Sequence, residues 1–215
     1  MDATTRELQR RQIGQGLDAL GQALDAQSVE RLVDYLAELS RWNAAYNLTA
    51  VDDPREMVER HLVDSLSIRP HLRGKVVLDA GTGAGLPGLV LAIAEPQRRY
   101  LLVDSNGKKV RFLRHVCRKL ELGHVEPLHA RLESLPLDPP PDEIVARALA
   151  PLERLVAWTR PWLDAGARLL AMKADLSEDE VAALGEEWNV GVHDLRWPGQ
   201  PARRTLAVIT RSGGR

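Results

Sequence analysis

The sequence contains little cysteine, few aromatic residues and almost no net charge. Cys117 is the single cysteine among 215 residues, so the chain forms no intramolecular disulfide and no zinc site built on several cysteines. Aromatic residues account for 4% of the chain, and 29 basic residues nearly balance 30 acidic ones. This composition excludes a disulfide-stabilised secreted module, a disordered chain and a strongly basic nucleic-acid-binding tail.

Long apolar runs are also missing. The longest fully apolar stretches, such as residues 89–94, are far shorter than the about 20 residues that span a bilayer as a helix. The N-terminal residues are polar and lack the apolar core of a signal peptide. We therefore expect a cytoplasmic protein with no membrane partner. Nothing indicates an obligate dimer, so we expect a monomer, and the six histidines lack metal-ligand spacing, so we expect no metal.

Two patterns divide the chain. Apolar residues recur on helix faces over residues 13–24 and 29–39, and Asp53-Pro54 is typical of the start of a third helix, expected to end near Pro70. Farther along, strands are predicted near 76–78, 100–103, 125–128, 144–145, 168–172 and 206–209, and helices near 87–95, 108–122, 151–164 and 177–187. We predict a helical N-terminal cap over residues 1–73 and a doubly wound α/β domain with a parallel sheet over residues 74–215.

The most informative segment joins the first predicted strand to the first predicted helix of the α/β domain. It reads Asp79-Ala80-Gly81-Thr82-Gly83-Ala84-Gly85-Leu86-Pro87-Gly88. Glycines let the backbone turn sharply and approach a ligand. Three interpretations are open: a dinucleotide site through Gly83-x-Gly85-x-x-Gly88, an S-adenosylmethionine site through Asp79-x-Gly81-x-Gly83-x-Gly85, or a structural turn. The acidic residue favours the second, because a carboxylate repels a diphosphate but not an ammonium or a sulfonium.

Two later acidic residues fit a nucleoside ligand. Asp104 ends the second strand, where a carboxylate typically accepts hydrogen bonds from ribose hydroxyls in either cofactor class. Glu133 follows the third strand, in a loop from which methyltransferases commonly contact adenine. Taken alone, Glu133 would be interpreted as a solvated surface acid.

The neutral total hides a basic segment. Between Arg98 and Lys119, eight basic residues accompany one acidic residue, giving +7, and five arginines with no acid follow Asp194. We hypothesise that they form a cationic rim around the ligand cleft and bind RNA phosphates; a solvated helix face is the alternative. The RNA-binding candidates are Lys108, Lys109, Arg111, Arg203 and Arg204. Trp42 and Tyr46, one helical turn apart, could stack a base, although core packing is the default interpretation.

Together these residues resemble one family, the bacterial small-subunit (16S) rRNA guanine-N7 methyltransferases, originally called glucose-inhibited division protein B. The resemblance covers nearly the whole chain after residue 35. It rests on Trp42-Asn43-x-x-Tyr46-Asn47-Leu48-Thr49, His61-x-x-Asp64-Ser65-Leu66, the glycine segment, Asp104-Ser105 and Gly107-Lys108-Lys109-Val110-Arg111-Phe112-Leu113, with single matches at Arg131, Glu133, Arg147, Lys173 and Arg204. The chain departs from the family pattern at Lys109, Ala174 and Arg203.

The resemblance implies a class I S-adenosylmethionine-dependent methyltransferase fold, which is Rossmann-like with a mostly parallel seven-stranded sheet. It implies S-adenosylmethionine as cofactor and 16S rRNA, in the small ribosomal subunit or an assembly intermediate, as partner, with guanosine 527 as target. With the glycine segment, the expected cofactor residues are Asp79, Gly81, Gly83, Gly85, Leu86, Asp104, Leu132, Glu133 and Arg147.

The residues also bear on mechanism. Guanine N7 carries an in-plane lone pair, so its methylation needs no base to remove a proton, and alignment of the reacting atoms supplies most of the catalysis. We predict that Arg147 and Lys173 position the cofactor end and guanine O6. Two other functions stay open at this point: an NAD-dependent oxidoreductase, for which no acid/base residue presents itself, and an RNA-binding assembly factor that retains the fold without activity.

Overall fold

The computed structural model describes residues 2–200 and 203–213 of the chain. The N-terminal part contains helices α1 (Ala3–Ala19) and α2 (Ala26–Tyr46), each capped by an aspartate. The Asp2 side chain accepts a hydrogen bond from the Thr5 N–H, and Asp25 does the same for Ser28. Such N-caps satisfy backbone donors that the first turn of a helix leaves unpaired.

The predicted third helix is a composite of three helical types. It begins as α3 (Pro54–Met57), widens into a π-helix (Val58–Val63) and ends as α4 (Asp64–Leu66), before a 3₁₀ turn (Arg69–His71). In the π-helix, the N–H of Asp64 bonds to the carbonyl of Glu59, five residues earlier. Short π-helical segments frequently occur at functional sites.

The remainder forms a seven-stranded sheet with helices on both faces. The strands are β1 (Val76–Ala80), β2 (Arg99–Asp104), β3 (Val125–His129), β4 (Glu143–Arg147), β5 (Arg168–Lys173), β6 (Trp188–Leu195) and β7 (Arg204–Arg211). The helices are α5 (Gly88–Ala94), α6 (Gly107–Lys119), α7 (Leu152–Asp164) and α8 (Glu178–Ala182), with a 3₁₀ turn at Leu132–Ser134. The strand order is β3-β2-β1-β4-β5-β7-β6, and β7 runs antiparallel to both of its neighbours.

Two apolar layers sandwich the sheet. Successive strand residues point to opposite faces, so Val77 joins the layer of α1, α2, α5 and α6, whereas Leu78 joins the layer of α7. The N-terminal helices therefore share a core with the α/β part. A polar link accompanies this packing, because the buried Tyr35 hydroxyl of α2 donates to the Ala84 carbonyl at 3.0 Å. Within the described ranges, the helices lack the combination of length and apolarity needed to cross a membrane.

The parallel strands bring the predicted site residues to one edge. Strands β1, β2, β4 and β5 end at Ala80, Asp104, Arg147 and Lys173. Because β7 is antiparallel, its first residue, Arg204, lies at the same edge, next to the pair Lys173–Thr205. Ligands of open α/β sheets bind outside these carboxyl ends, where the strand order reverses direction, here between β1 and β4.

Candidate cofactor and substrate site

The glycine segment forms a tight loop between β1 and α5. Gly81, Gly83 and Gly85 all have positive φ angles, of 66°, 61° and 98°, which side-chain-bearing residues rarely adopt. A Cβ on Gly81 would lie 2.5 Å from the Leu149 side chain, and one on Gly85 would lie 2.7 Å from Leu89. At Gly83, by contrast, a Cβ would meet no clash, since its nearest neighbours would be the Lys109 Nζ at 3.9 Å and the Gly81 carbonyl oxygen at 4.0 Å.

Asp79 stabilises this loop through hydrogen bonds to its buried side chain. Its side chain is completely buried, and its Oδ2 accepts hydrogen bonds from the Thr82 hydroxyl at 2.6 Å and the Gly88 N–H at 2.7 Å. Burial raises the pKa of the Asp79 carboxyl to about 6. The structure does not support the expected direct contact between Asp79 and a cofactor cation. The Asp79 carboxylate faces the turn instead and stabilises the conformation of Thr82 and Gly88.

A cleft of about 420 Å³ opens above the loop. Its walls are Leu48, Thr49, Gly81, Thr82, Gly83, Ala84, Leu86, Asp104, Ser105, Lys109, Arg147, Ala148 and Leu149. Among these residues, Asp104 is held by two backbone donors: its Oδ2 accepts from the Gly83 N–H at 2.9 Å, and its Oδ1 accepts from the Asn106 N–H at 2.7 Å. The ammonium of Lys109 lies 3.9 Å from this carboxylate. Asp104 is thus held in place by backbone donors, with acceptor capacity left for a ligand.

A second, smaller cavity of about 130 Å³ continues from the cleft beside Asp104. It shares Gly81, Asp104, Ser105 and Leu149 with the cleft and adds Val103, Ala130, Arg131, Leu132, Glu133 and Trp158. Leu132 is buried and Glu133 is exposed, so one wall is apolar and the other polar. Asp104 thus lies where the larger cleft meets the smaller cavity.

The structure separates the expected cofactor residues into three groups. Gly81, Gly83, Leu86, Asp104 and Arg147 line the larger cleft, and Leu132 and Glu133 line the smaller cavity. Asp79 and Gly85 line neither. Gly85 serves packing, since its backbone approaches Leu89 and Leu113 too closely for a side chain.

A third cavity, of about 280 Å³, adjoins the cleft on the side of β5. It shares Thr49, Arg147 and Ala148 with the cleft and adds Val51, Arg60, His61, Asp64, Met172, Lys173, Ala174 and Arg204. We call it the basic pocket. Sequence analysis assigned no role to Thr49, His61 or Asp64, although all three stand in the motifs that carry the family resemblance.

Asp64 organises the cations of the basic pocket. Its carboxylate, 5% exposed, accepts from Arg147 through Oδ2 and from Arg204 through Oδ1, both at 2.8 Å. Arg147 also donates to the Arg60 carbonyl at 3.1 Å, in the π-helix. Lys173 instead pairs with Glu180 at 2.7 Å. One carboxylate from the helical cap therefore fixes two guanidinium groups from different strands.

His61 contributes an uncharged imidazole to the wall of the same pocket. Burial lowers its pKa to about 4, so the imidazole carries no charge at neutral pH. Its Nε2 lies 3.0 Å from the Thr49 hydroxyl, and within the described residues its Nδ1 has no hydrogen-bond partner. The Thr49 hydroxyl also accepts from the Val51 N–H, so this pair holds the segment between the cleft and the basic pocket.

The hypothesis of one cationic rim from Arg98 to Lys119 is wrong. Arg98 and Arg99 lie at the start of β2, at the sheet edge opposite the cleft; Arg98 donates to the carbonyls of Gly74 and Leu72. Helix α6 starts at the cleft and runs away from it, because it connects two parallel strands. At its far end, Lys119 pairs with Glu38 of α2.

The individual RNA-binding candidates have different surroundings. Lys108 and Arg111 are exposed on α6, and Lys109 lines the cleft. Arg203 is exposed and pairs with Asp194 at 3.3 Å. Arg204 points into the basic pocket rather than outward. Of the other C-terminal arginines, Arg211 pairs with Glu187 and Asp164 far from the cleft, and Arg215 lies outside the described residues.

The chain shares its fold with solved methyltransferases. It resembles a SAM-dependent methyltransferase from Aquifex aeolicus with a TM-score of 0.56 and 20% identity, over 76% of this chain and 96% of that one. It also resembles magnesium protoporphyrin IX methyltransferase from Synechocystis PCC 6803, solved with bound SAM, with a TM-score of 0.55 and 18% identity, over 87% and 98%. The fold is that of class I S-adenosylmethionine-dependent methyltransferases.

Sequence comparison then identifies the family. The model of rRNA small subunit methyltransferase G matches residues 28–204. The chain is 47% identical to ribosomal RNA small subunit methyltransferase G of Pseudomonas paraeruginosa over 99% of this chain and all of that protein. It is 48% identical to the protein of that name from Xanthomonas euvesicatoria pv. vesicatoria, over 91% and 92%. The chain belongs to the rRNA small subunit methyltransferase G family.

Proposed function

We propose that this protein transfers the methyl group of S-adenosylmethionine to N7 of an unpaired guanosine in 16S rRNA, by resemblance guanosine 527. Membership of the family supports the general activity, which is methylation of small-subunit rRNA with S-adenosylmethionine as cofactor. The base and the atom are taken from the resemblance given under Sequence analysis, and the geometry of the site supports them. The observation that supports it most is the wall of Thr49, Arg147 and Ala148 that the cofactor cleft shares with the basic pocket.

The residues of the cleft fit the cofactor in chemical type. Asp104 would accept hydrogen bonds from the ribose hydroxyls, and Leu132 and Glu133 would border the adenine. Gly83 lines the cleft without a side chain, which would let the methionine part approach the backbone. When bound, S-adenosylmethionine supplies a sulfonium methyl that accepts the electron pair of N7, while the electrons of the broken carbon–sulfur bond stay on sulfur and the positive charge passes to the purine.

The basic pocket suits a base that needs no deprotonation. Its carboxylate, Asp64, is engaged by two guanidinium groups, and its imidazole, His61, faces Thr49. Asp64 is therefore not a free proton acceptor, and the unpaired Nδ1 of His61 is buried beneath the surface of the pocket, out of reach of a reacting nitrogen. Guanine N7 already presents a lone pair, whereas an exocyclic amine would have to lose a proton. The arrangement therefore supports N7 as the methylated atom.

The arginines of the pocket fit the neighbouring edge of guanine. Arg and Lys commonly donate to guanine O6, and Arg147 and Arg204 keep donors beyond those that bond Asp64. A cation at O6 orients the base but does not stabilise the positive charge that develops on the purine. Arg147 and Lys173 should accordingly act in binding and alignment.

The accessibility of N7 restricts which RNA structures can present the target guanosine to the pocket. In an A-form helix N7 lies in a deep, narrow groove that side chains cannot enter. An unpaired or distorted loop guanosine can turn its N7 into the basic pocket. Lys108 and Arg203, exposed near the cleft edge, are then placed to contact phosphates that flank the target.

Calorimetric titration with S-adenosylmethionine and, separately, with NAD tests the cofactor assignment. We expect a complex with the first and none with the second; the reverse would indicate the oxidoreductase alternative. A transfer assay on small-subunit rRNA then compares Arg147→Ala with Arg73→Ala, an exposed arginine at the opposite sheet edge. We expect loss of activity only in the first variant, with both variants folded by thermal melting. Equal activity of the two would remove Arg147 from the site.

A further inference from the structure

A large concave surface lies over the outer side of α6, away from the basic pocket. Its volume is about 830 Å³, and it extends from α2 across α6 to the start of β3. The lining combines one aromatic ring and apolar side chains with three arginines: Trp42, Leu122, Val125, Arg111, Arg114 and Arg118. We call it the α6 groove. Neither the cofactor cleft nor the basic pocket includes any of these residues.

The charge of the α6 groove favours an anionic ligand. Arg111, Arg114 and Arg118 are exposed, and within the described part of the chain none of them has an acidic group within 4 Å. The acidic side chain that lines the groove, Glu121, belongs to an exposed residue and makes no ion pair with them. In contrast, Lys119 on the same helix is neutralised by Glu38. Arg118 Nε donates to the Arg114 carbonyl at 3.3 Å, and the other donors of the three guanidinium groups remain for a partner.

Two chain segments connect the α6 groove to the methyl-transfer site. On α6, Lys109 lines the cofactor cleft, and Lys108, Arg111 and Arg118 follow a spacing of three and seven residues, which puts them on one side of the helix. This line of charge is about 15 Å long, at 1.5 Å per residue. It starts at Lys108, next to the cleft residue Lys109, and ends at Arg118 in the groove.

The second segment is the end of α2 and the residues that follow. Trp42 lines the α6 groove, whereas Leu48 and Thr49 line the cofactor cleft. Between them Tyr46 is 41% exposed, with its ring centroid 5.4 Å from that of Trp42. Trp42 packs on Phe112 at 5.6 Å, yet it still lines the groove. Core packing therefore explains the contact between Trp42 and Phe112. It does not explain why Trp42 also lines the groove or why Tyr46 is exposed.

We propose that the α6 groove binds an unpaired nucleotide of the same rRNA that carries the target guanosine. Its base would lie against Trp42 and Tyr46, and the adjacent phosphates would lie on the arginines of α6. Aromatic rings and guanidinium planes stack on any base, so this subsite would add affinity without reading sequence. The proposal rests on the proposed function, because it takes the substrate to be RNA.

The experiment compares two triple variants that remove the same charge. Arg111→Gln/Arg114→Gln/Arg118→Gln empties the groove of cations, and Arg11→Gln/Arg55→Gln/Arg73→Gln removes three exposed arginines from elements outside α6 and β3. Binding of a 16S rRNA loop fragment is measured by fluorescence anisotropy across a salt series. For a single strand, losing three phosphate contacts should reduce the slope of log K against log salt by about 2. The control should leave the slope nearly unchanged.

A second variant tests the aromatic contact. Tyr46→Ala should weaken RNA binding at least about fivefold, the lower limit for loss of one stacked base, and Tyr46→Phe should restore it. Affinity for S-adenosylmethionine should be the same in all variants, because none of the altered residues lines the cofactor cleft. Photo-cross-links from 4-thiouridine beside the target should fall on α6 or near Tyr46.

The outcomes separate this proposal from the proposed function. Equal salt slopes for the two triple variants, or cross-links confined to the cleft, would overturn the groove assignment even if the wild-type protein methylates rRNA. Absence of methyl transfer by the wild-type protein would overturn the proposed function, while the difference between the salt slopes would still decide whether RNA occupies the groove.

Discussion

The central side chain of the basic pocket is Asp64, and replacing it by asparagine tests what it does. Asp64→Asn keeps the shape of the side chain and removes its charge. In the folded protein this carboxylate bridges Arg147 and Arg204 at 2.8 Å each. Both guanidinium groups would lose their charged partner in the variant, and one of them would face the amide –NH2, which donates instead of accepting.

The magnitude follows from the burial of the three groups. Asp64 is 5% exposed, but Arg147 and Arg204 are 21% and 25% exposed, so water in the pocket can replace part of what the arginines lose. Hydrogen bonds to charged groups contribute about 1.5–3 kcal/mol each when buried, and solvent screening reduces this value. We expect a net loss of about 2 kcal/mol in the free energy of unfolding. For a domain of this size, this lowers Tm by about 4–8 °C.

The effect on activity should exceed the effect on stability. Asp64 fixes the guanidinium of Arg147 at the wall between cofactor and base, and a displacement of about 1 Å there can cost about 100-fold in rate. We expect kcat/KM for rRNA to fall at least about tenfold at a temperature where the variant is fully folded.

Thermal melting and steady-state methyl transfer measure the two quantities side by side. Asp18→Asn, an exposed aspartate on α1, is the control for loss of one carboxylate. Its Tm and kcat/KM should match those of the wild type. If Asp64→Asn also melts within 1 °C of the wild type and transfers methyl groups at the wild-type rate, Asp64 does not organise the arginines and the reasoning is refuted.

Three further predictions concern the cofactor cleft. Gly83→Ala should weaken S-adenosylmethionine binding in calorimetry with a stability loss of about 1 kcal/mol, because its Cβ would enter the cleft without a clash in the protein. Gly88→Ala should destabilise more strongly, because its Cβ would lie 2.5 Å from Asp79, and equal effects of the two variants on binding and stability would contradict this distinction. Asp104→Ala should reduce cofactor affinity at least tenfold in the same titration, and an unchanged dissociation constant would remove it from the ribose site. The pKa of Asp79 is raised to about 6 in the folded protein, so the protonated side chain favours the fold. This stabilisation is present below the ordinary pKa of aspartate and is lost as pH rises through 6, by up to about 3 kcal/mol. Urea unfolding should therefore show Asp79→Asn gaining stability relative to the wild type between about pH 4 and pH 6, and a pH-independent difference would show that the carboxyl is not perturbed.

Much of the sheet could be predicted because buried parallel strands are short apolar runs between helices. The strand β6 (Trp188–Leu195) was not predicted from its residues, and the helix before it is only α8 (Glu178–Ala182). This strand lies at the edge of the sheet and exposes most of its side chains, so its sequence lacks the apolar signal. The π-helix was missed for another reason, since its apolar spacing differs too little from that of an α-helix to be seen over six residues.

The site was predictable where function depends on the strand ends and less so where it depends on the direction of a side chain. Asp104 ends a strand and faces the cleft, as predicted, whereas Asp79, one residue before the end of its strand, faces the inside of the turn. The pairing of Asp64 with Arg204 joins residues 140 positions apart, which no local pattern records. The basic segment from Arg98 to Lys119 is continuous in sequence, but a strand and a helix carry its charges to opposite edges of the sheet.

Identification of the methylated nucleoside is the most direct test of the proposed function. Small-subunit rRNA is incubated with the protein and S-adenosylmethionine bearing an isotopically labelled methyl group, then digested to nucleosides and analysed by mass spectrometry. We expect the label in 7-methylguanosine, at one residue per rRNA molecule, and its loss with Arg147→Ala. Label in any other nucleoside, or no label from a protein that binds the cofactor, would contradict methylation at guanine N7.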